Sequence, residues 1–388
     1  MINPPRYDLV TRTSPYLAAQ NQVMAATHGH PHLIIGAGIA GCALAFAFAQ
    51  AGQPFLVLND DVGDAASTVA AGLFNPITGS RFVKTWMAEE VFEHLHPFYQ
   101  QWQTLLGTTF YHPTPIIRPF GSIAEQNTAI AKTAEPDYAA YIIATDLPTE
   151  LQNLVEAPLG GMVFGQGGWI DVPTLMAAMH RWLQTTGQYQ IGTISPKDLT
   201  EANDLVYLQG QPFQSATFCT GYRARQESAF DHVRFSPVRG EIIEVEYDAA
   251  AEQWPNLAVS KGIYMLGKPG INRLRVGATY NWRQPVPETS PEGLADLTSE
   301  LDQVLKANYR VLRHQAGVRP AIADRRPVVG LLPGCNRIGI LNGLGSKGTS
   351  LAPWLASNLV DLYLHGKALP LAVSPDRFHK KHSPKPTT

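Results

Sequence analysis

Residues 343–348 read G-L-G-S-K-G and run straight into an apolar stretch over 351–356. Backbone kept this bare can approach a ligand closely, and free N–H groups at a helix start favour negative charge. A phosphate-binding P-loop needs G-x-x-x-x-G-K-[ST]. Here Lys347 precedes Gly348, so that reading fails on spacing. The other end of the chain carries a second cluster, Gly36, Gly38 and Gly41, in the order G-x-G-x-x-G. Apolar Leu33–Ile35 stands before it, a helical run through Gln50 follows, Gly52 ends that run, and Phe55–Leu58 is a second apolar strand. This is the layout of a dinucleotide site: the glycines permit a tight turn and bring a pyrophosphate onto the helix N-terminus. Gly36, Gly38, Ile39, Ala40 and Gly41 are the expected contacts. NAD and FAD sites share the motif.

An acidic residue is expected at the end of the second strand, to hold the ribose hydroxyls. The position is Asn59, followed by Asp60 and Asp61. An amide both donates and accepts, so Asn59 can serve a diol, and Asp60 is the alternative. The small-residue stretch over 64–72 presents Ser67, Ala70, Ala71 and Gly72 as a further surface close to a ligand. The plainer reading of it is a tight packing turn. No histidine stands at triad spacing from a serine or cysteine, so hydrolytic nucleophilic catalysis has no support. His28, His30 and His32 in HGHPH are expected in a linker rather than a metal site.

The elements that position these residues must come from 388 residues, long for one core, and two domains are expected. Thirty Lys and Arg against 32 Asp and Glu give a net charge of −2, with no whole-chain footprint for nucleic acid. Cys42, Cys219 and Cys335 are odd in number and unpaired in spacing, which points to the cytoplasm. No run of 18 apolar residues occurs, and residues 1–31 lack the layout of a signal peptide.

Several stretches carry a resemblance. G-x-G-x-x-G followed by A-S-x-x-A-A-G is similar to the D-amino-acid-oxidase-type FAD oxidoreductases, which include glycine oxidase and sarcosine oxidase. GMVFGQGGWIDVPTLMAAMHRWLQTTG (161–187), ATFCTGYRA (216–224), FSPVRGEIIEVE (235–246) and AGVRPAIADRRPVVGLLPG (316–334) extend it in the family's order over residues 32–370. More narrowly, G-L-G-S-K-G-x-x-x-A-P with Q-G-G-W and P-V-R-G-E resembles the FAD domain of the bifunctional enzymes that make 5-methylaminomethyl-2-thiouridine in tRNA. Those enzymes carry a methyltransferase half first; only 35 residues precede Gly36, so none is expected here.

The resemblance implies an α/β fold: a discontinuous Rossmann-like FAD-binding domain (32–85, 155–228, 315–370) and an α+β substrate domain with an antiparallel sheet (86–154, 229–314). Residues 1–31 are expected to be a disordered leader and 371–388 a basic tail. The expected helices include Val91 to Leu106 and a run over 295–309; the expected strands include 241–247, 262–268 and 274–282. The cofactor implied is FAD. Gly221 ends the strand that returns to it, and Gly343, Gly345, Ser346, Lys347 and Gly348 approach the flavin edge that becomes negative on reduction. Arg319 matches the family's carboxylate-binding arginine, the alternative being an ion pair with Asp324. Lys347 is the cation for the flavin edge, the alternative being a solvated cap. Tyr264 and Tyr280 lie on strands that cover the reactive face, with core packing as the alternative for each. Arg239 is equally readable as a structural link between the domains, and Trp169 as packing. The implied activity is oxidation of a C–N bond in an amino acid or N-substituted glycine by hydride transfer to flavin N5. The same chemistry on a carboxymethylaminomethyl-uridine in tRNA, releasing glyoxylate, is the second reading. A non-catalytic nucleotide-binding protein is the third.

Overall fold

Short apolar runs make the first layer. His32–Ile35 and Phe55–Asn59 pair in parallel, with His32 opposite Phe55, and side chains on both faces are buried. Strands buried on both faces read as unbroken apolar runs. The computed structural model describes residues 29–378 except 61, 64–65, 249–252 and 268–269. The expected leader therefore lies outside the described residues through 28, and the basic tail lies outside them from 379. A six-stranded sheet has the order Tyr189–Ile191, Phe55–Asn59, His32–Ile35, Ser215–Phe218, Ile338–Asn342, Val328–Leu331. All neighbours are parallel except the last pair.

The period of two in His32–Ile35 sends Ile34 to one core and Leu33 and Ile35 to the other. On the Ile34 side lies the helix Ile39–Gln50, whose alanines let the C-terminal helix Gly348–His365 pack directly against it. The helix expected from Val91 spans Ala88–Leu106. It was assigned to the substrate domain, yet its Val91, Leu95, Tyr99 and Trp102 are buried in this core beside those two helices. Its apolar stripe finds a partner only there.

Pro353 stands sixth in the helix Gly348–His365, beyond the first turn, and leaves the carbonyl of Thr349 without its helical donor. The buried Tyr99 hydroxyl donates to that carbonyl at 2.7 Å. Tyr99→Phe should therefore cost about 1–3 kcal/mol, the penalty for orphaning a buried acceptor, read as a lower urea midpoint. An unchanged midpoint would mean that the carbonyl finds another donor.

The second sheet has eight strands in the order Tyr309–Arg319, Val238–Tyr247, Arg273–Gly277, Ile263–Gly267, Ala258–Lys261, Ile116–Pro119, Gly161–Phe164, Ile142–Ala144. It is antiparallel but for Ala258–Lys261 against Ile116–Pro119. Two boundaries differ from expectation, because Gly161–Phe164 and Tyr309–Arg319 hydrogen-bond into this sheet rather than the first. The helix expected over 295–309 is Pro291–Asp302, started by the Ser290 side chain accepting from Gly293 N. Pro291 at its first position fits the helix start, and Tyr309 already belongs to the next strand. The strand expected through 282 stops at Gly277; an isolated bridge still pairs Asn281 with Arg239, and the chain leaves the sheet after it.

His32, expected in a linker, is instead a buried strand residue stacked on Phe48 at 4.1 Å, with Nδ1 2.7 Å from Ser215 Oγ. Burial, with a smaller push from the Arg337 charge, lowers its pKa from 6.5 to about 3. Between those values the unfolded chain holds the extra proton, so stability falls as pH drops below 6.5. Wild type should lose about 1.4 kcal/mol more than His32→Asn between pH 7.5 and 5.5, by urea melts at each pH. Identical slopes would refute the assignment.

Candidate active site

The parallel strands end together, and their carboxyl ends carry Gly36, Asn59, Cys219 and Asn342. Ligands of open α/β sheets bind at this edge. A cavity of about 740 Å³ opens here and runs to the wall of the second sheet.

At the sheet end, Gly36 has φ +102°, and a Cβ would lie 2.6 Å from Cys219 O, so only glycine fits. Gly38, Ile39 and Ala40 line the cavity. Gly41 does not: a Cβ there would lie 1.9 Å from Gly36 O, so its bareness sets the helix against the strand end. Asn59 lines the cavity too. Its Oδ1 accepts from Ala37 N at 3.0 Å and its Nδ2 donates to Tyr189 Oη at 3.1 Å, which fastens the glycine loop. Asp60, beside it in the wall, is paired with Arg223, which sequence reasoning missed.

Ser67 Oγ accepts from Ile39 N at 3.0 Å, taking one free donor of the first helix turn. Ala70, Ala71 and Gly72 line the cavity next to it, and Arg275 Nη1 reaches Ala70 O at 3.3 Å from the second sheet. Gly221 also lines the cavity, its carbonyl held by Asn342 Nδ2 at 2.9 Å. Of the C-terminal glycine stretch, Gly345, Ser346, Lys347 and Gly348 line the cavity. Gly343 does not; a Cβ there would meet Ile322 Cγ1 at 2.5 Å, so it is a packing glycine.

Lys347 is not a solvated cap. Its Nζ donates to Thr85 Oγ1 at 2.6 Å, and burial, aided by the Arg326 charge, lowers its pKa. Thr85 was not foreseen, because nothing marks a lone threonine 262 positions away.

On the wall formed by the second sheet stand Tyr264, Tyr280 and Arg319. Burial raises the Tyr264 pKa, which keeps its phenol protonated. The Arg319 guanidinium lies 4.2 Å over the Tyr280 ring, and Nη1 donates to Thr279 O at 3.0 Å. Asp324 is not its partner, being paired with Arg377 at 2.8 Å. Among the described residues no carboxylate pairs with Arg319, and burial lowers its pKa. Trp169 packs on His112 at 4.1 Å, as expected of a packing residue.

A flavin dinucleotide fits these walls. The bare loop at Gly36–Ala40 and the start of the helix Gly348–His365 both face the cavity, and both favour negative charge. Thr220 Oγ1, in the wall beside Gly36, is buried without a hydrogen-bond partner among the described residues. A polar ligand atom there would satisfy it.

The model of the DAO family, FAD dependent oxidoreductase, matches residues 32–362. The chain belongs to this family. FAD is thus the cofactor of this flavoenzyme, and Gly36–Ala40, Asp60, Thr220 and the residues from Gly345 to Gly348 would hold it. It is 27% identical to the tRNA 5-methylaminomethyl-2-thiouridine biosynthesis bifunctional protein MnmC of Marinobacter nauticus, over 89% of this chain and 57% of that protein. The flavoenzyme therefore spans less than two thirds of that relative's length. It is 23% identical to the bifunctional protein ThiO/ThiG of a Nostoc species, over 91% of this chain and 55% of that protein. Glycine oxidase from Bacillus cereus shares the fold with a TM-score of 0.70 at 20% identity, covering 87% of this chain and 96% of its own. Iminodiacetate oxidase from Chelativorans does so with 0.71 at 19%, covering 89% and 98%. Among the described residues no cluster of side chains suits a metal ion, and no helix is long and apolar enough to cross a membrane.

Proposed function

We propose that this flavoenzyme oxidises the C–N bond of an N-substituted glycine or a related small amino acid. The observation that carries the reading is Arg319: a half-buried cation without a carboxylate partner among the described residues, in the wall of the cofactor cavity. A guanidinium matches a carboxylate with two parallel hydrogen bonds, and that pairing repays its desolvation. Bound FAD supplies the oxidant, accepting a hydride from the carbon next to nitrogen, and the imine left behind hydrolyses to a carbonyl compound and an amine. The chain's own residues fix the pose. Arg319 anchors the carboxylate, the Tyr280 ring holds the guanidinium plane, and the protonated Tyr264 hydroxyl offers a neutral hydrogen bond beside the amine. Lys347, held by Thr85, is the cation for charge developing on the cofactor.

A second reading keeps the chemistry and takes the N-carboxymethyl group on a tRNA wobble uridine. It is supported by the tRNA-modifying role for which the MnmC relatives are named and by the exposed Tyr280 and Trp282 rings, stacked at 6.1 Å. A cytoplasmic location suits either substrate.

The test is anaerobic mixing of the FAD-loaded protein with sarcosine, glycine, other amino acids and carboxymethylaminomethyl-modified tRNA, following the visible flavin band. Bleaching by a small amine supports the first reading, and bleaching by tRNA alone supports the second. A band that none of these bleaches would refute both.

A further inference from the structure

One buried charged cluster lies outside the roles assigned so far. Glu241 is 1% exposed, and its carboxylate grips Ser290, accepting from Oγ at 2.8 Å and from N at 2.9 Å. Arg239 Nε lies 3.2 Å from Oε1, and His314 Nε2 lies 2.9 Å from Oε2, both close by distance and neither in hydrogen-bond geometry. Arg239 also sends Nη1 to Glu288 O and Nη2 to Ser290 Oγ, each at 3.3 Å. Charges buried this deeply add little net stability over an apolar packing of the same volume. Their use is in what they hold.

They hold the segment 278–290. At its start, Thr279 N donates to Glu241 O at 3.1 Å, Glu241 N donates to Thr279 Oγ1 at 2.9 Å, and Arg239 and Asn281 exchange backbone bonds at 2.9 Å. At its end stands Ser290, in the grip of the Glu241 carboxylate. Tyr280, the ring beneath the Arg319 guanidinium, stands in the first of these ends, between Thr279 and Asn281. Arg239 and Glu241 share one face of their strand by its period of two. Gly240 faces the other way, and a Cβ on it would lie 2.1 Å from Arg319 Nη2.

We infer that Arg239, Glu241 and His314 form a positioning cluster that clasps both ends of segment 278–290 and so aims Arg319 into the cavity. This role rests on reading Arg319 as the carboxylate anchor. With no acid of its own, the guanidinium takes its direction from Thr279 O and the Tyr280 ring, and both move with the segment. Glu241→Gln removes the charge, keeps the shape and changes no residue of the cavity lining itself.

The test titrates the FAD-loaded full chain with methoxyacetate and with methoxyacetamide, its uncharged counterpart, reading the shift of the visible flavin band. Glu241→Gln should weaken methoxyacetate about tenfold, the loss of roughly one of two charge-assisted bonds, and change methoxyacetamide less than about twofold. Unchanged methoxyacetate binding, or equal weakening of both probes, overturns the proposal. Should that variant fail to retain FAD, Ser290→Ala carries the same test, with about threefold selective weakening expected. Arg319→Met is titrated alongside. If it leaves methoxyacetate binding intact, the anchor reading fails and takes the cluster's role with it. If it abolishes binding while Glu241→Gln and Ser290→Ala do not touch it, the inference alone fails.

Discussion

Arg319→Met raises KM for a carboxylate-bearing substrate by about ten- to hundredfold, because a charge-assisted pair contributes roughly 1.5–3 kcal/mol. Methionine keeps much of the buried volume, so packing against Tyr280 and Gly240 is largely preserved and the change isolates the charge. An amine lacking the carboxylate should be affected far less, since it never used the guanidinium. Arg319→Lys should fall between, as a point charge cannot reproduce the fork and stacks poorly on an aromatic face. Steady-state kinetics on matched substrates with and without the carboxylate reads the difference. Equal KM changes for both would take Arg319 out of substrate recognition.

Gly41→Ala should give a chain that neither retains FAD nor folds to wild-type stability. The added methyl would sit 1.9 Å from the carbonyl oxygen of Gly36, closer than any real contact. Neither partner is a side chain that could swing away. The helix Ile39–Gln50 must then shift off the strand His32–Ile35, into a core where the C-terminal helix already packs against it. Overpacking usually costs 1–3 kcal/mol, and a backbone clash in a helix–strand joint should cost at least about 3 kcal/mol. Flavin absorbance per chain and the thermal midpoint are the readouts. A variant holding full FAD at the wild-type midpoint would show that the joint yields cheaply.

What the amino-acid order revealed depended on how local the cause was. The first strand, turn and helix were legible because G-x-G-x-x-G, its flanking apolar runs and Gly52 all lie within residues 33–58. Pairings were not. Asn59 reads as a cavity contact, yet nothing near it in the chain shows that Tyr189, 130 positions away, shares its amide. Lys347 reads as a cation for the flavin edge, but that Thr85 holds it is visible only in the fold. Gly343 and Gly345 are indistinguishable in sequence, yet one packs on Ile322 and the other lines the cavity. The helix Ala88–Leu106 is legible as a helix, but its place beside the first helix is not, because an apolar stripe records that a partner exists and not which one. The start at Pro291 was readable in principle: Ser290 followed by proline is a cap signal, passed over for the apolar pattern that follows.

The order of strands in the parallel sheet has a consequence for how the molecule comes into being. The central strand His32–Ile35 is joined on one side by Ser215–Phe218, which in turn is joined by Ile338–Asn342. Neighbours in space are thus separated by well over a hundred positions in the chain, and closing loops of that length must precede the contacts that reward it. The last of these strands and the helix after it bring the final wall of the cavity. A nascent chain lacking them has a glycine turn but no enclosed place for the cofactor, so flavin capture waits until residues 338–365 have been made. Until then the first helix lacks the partner that covers its apolar face, a surface open to wrong contacts.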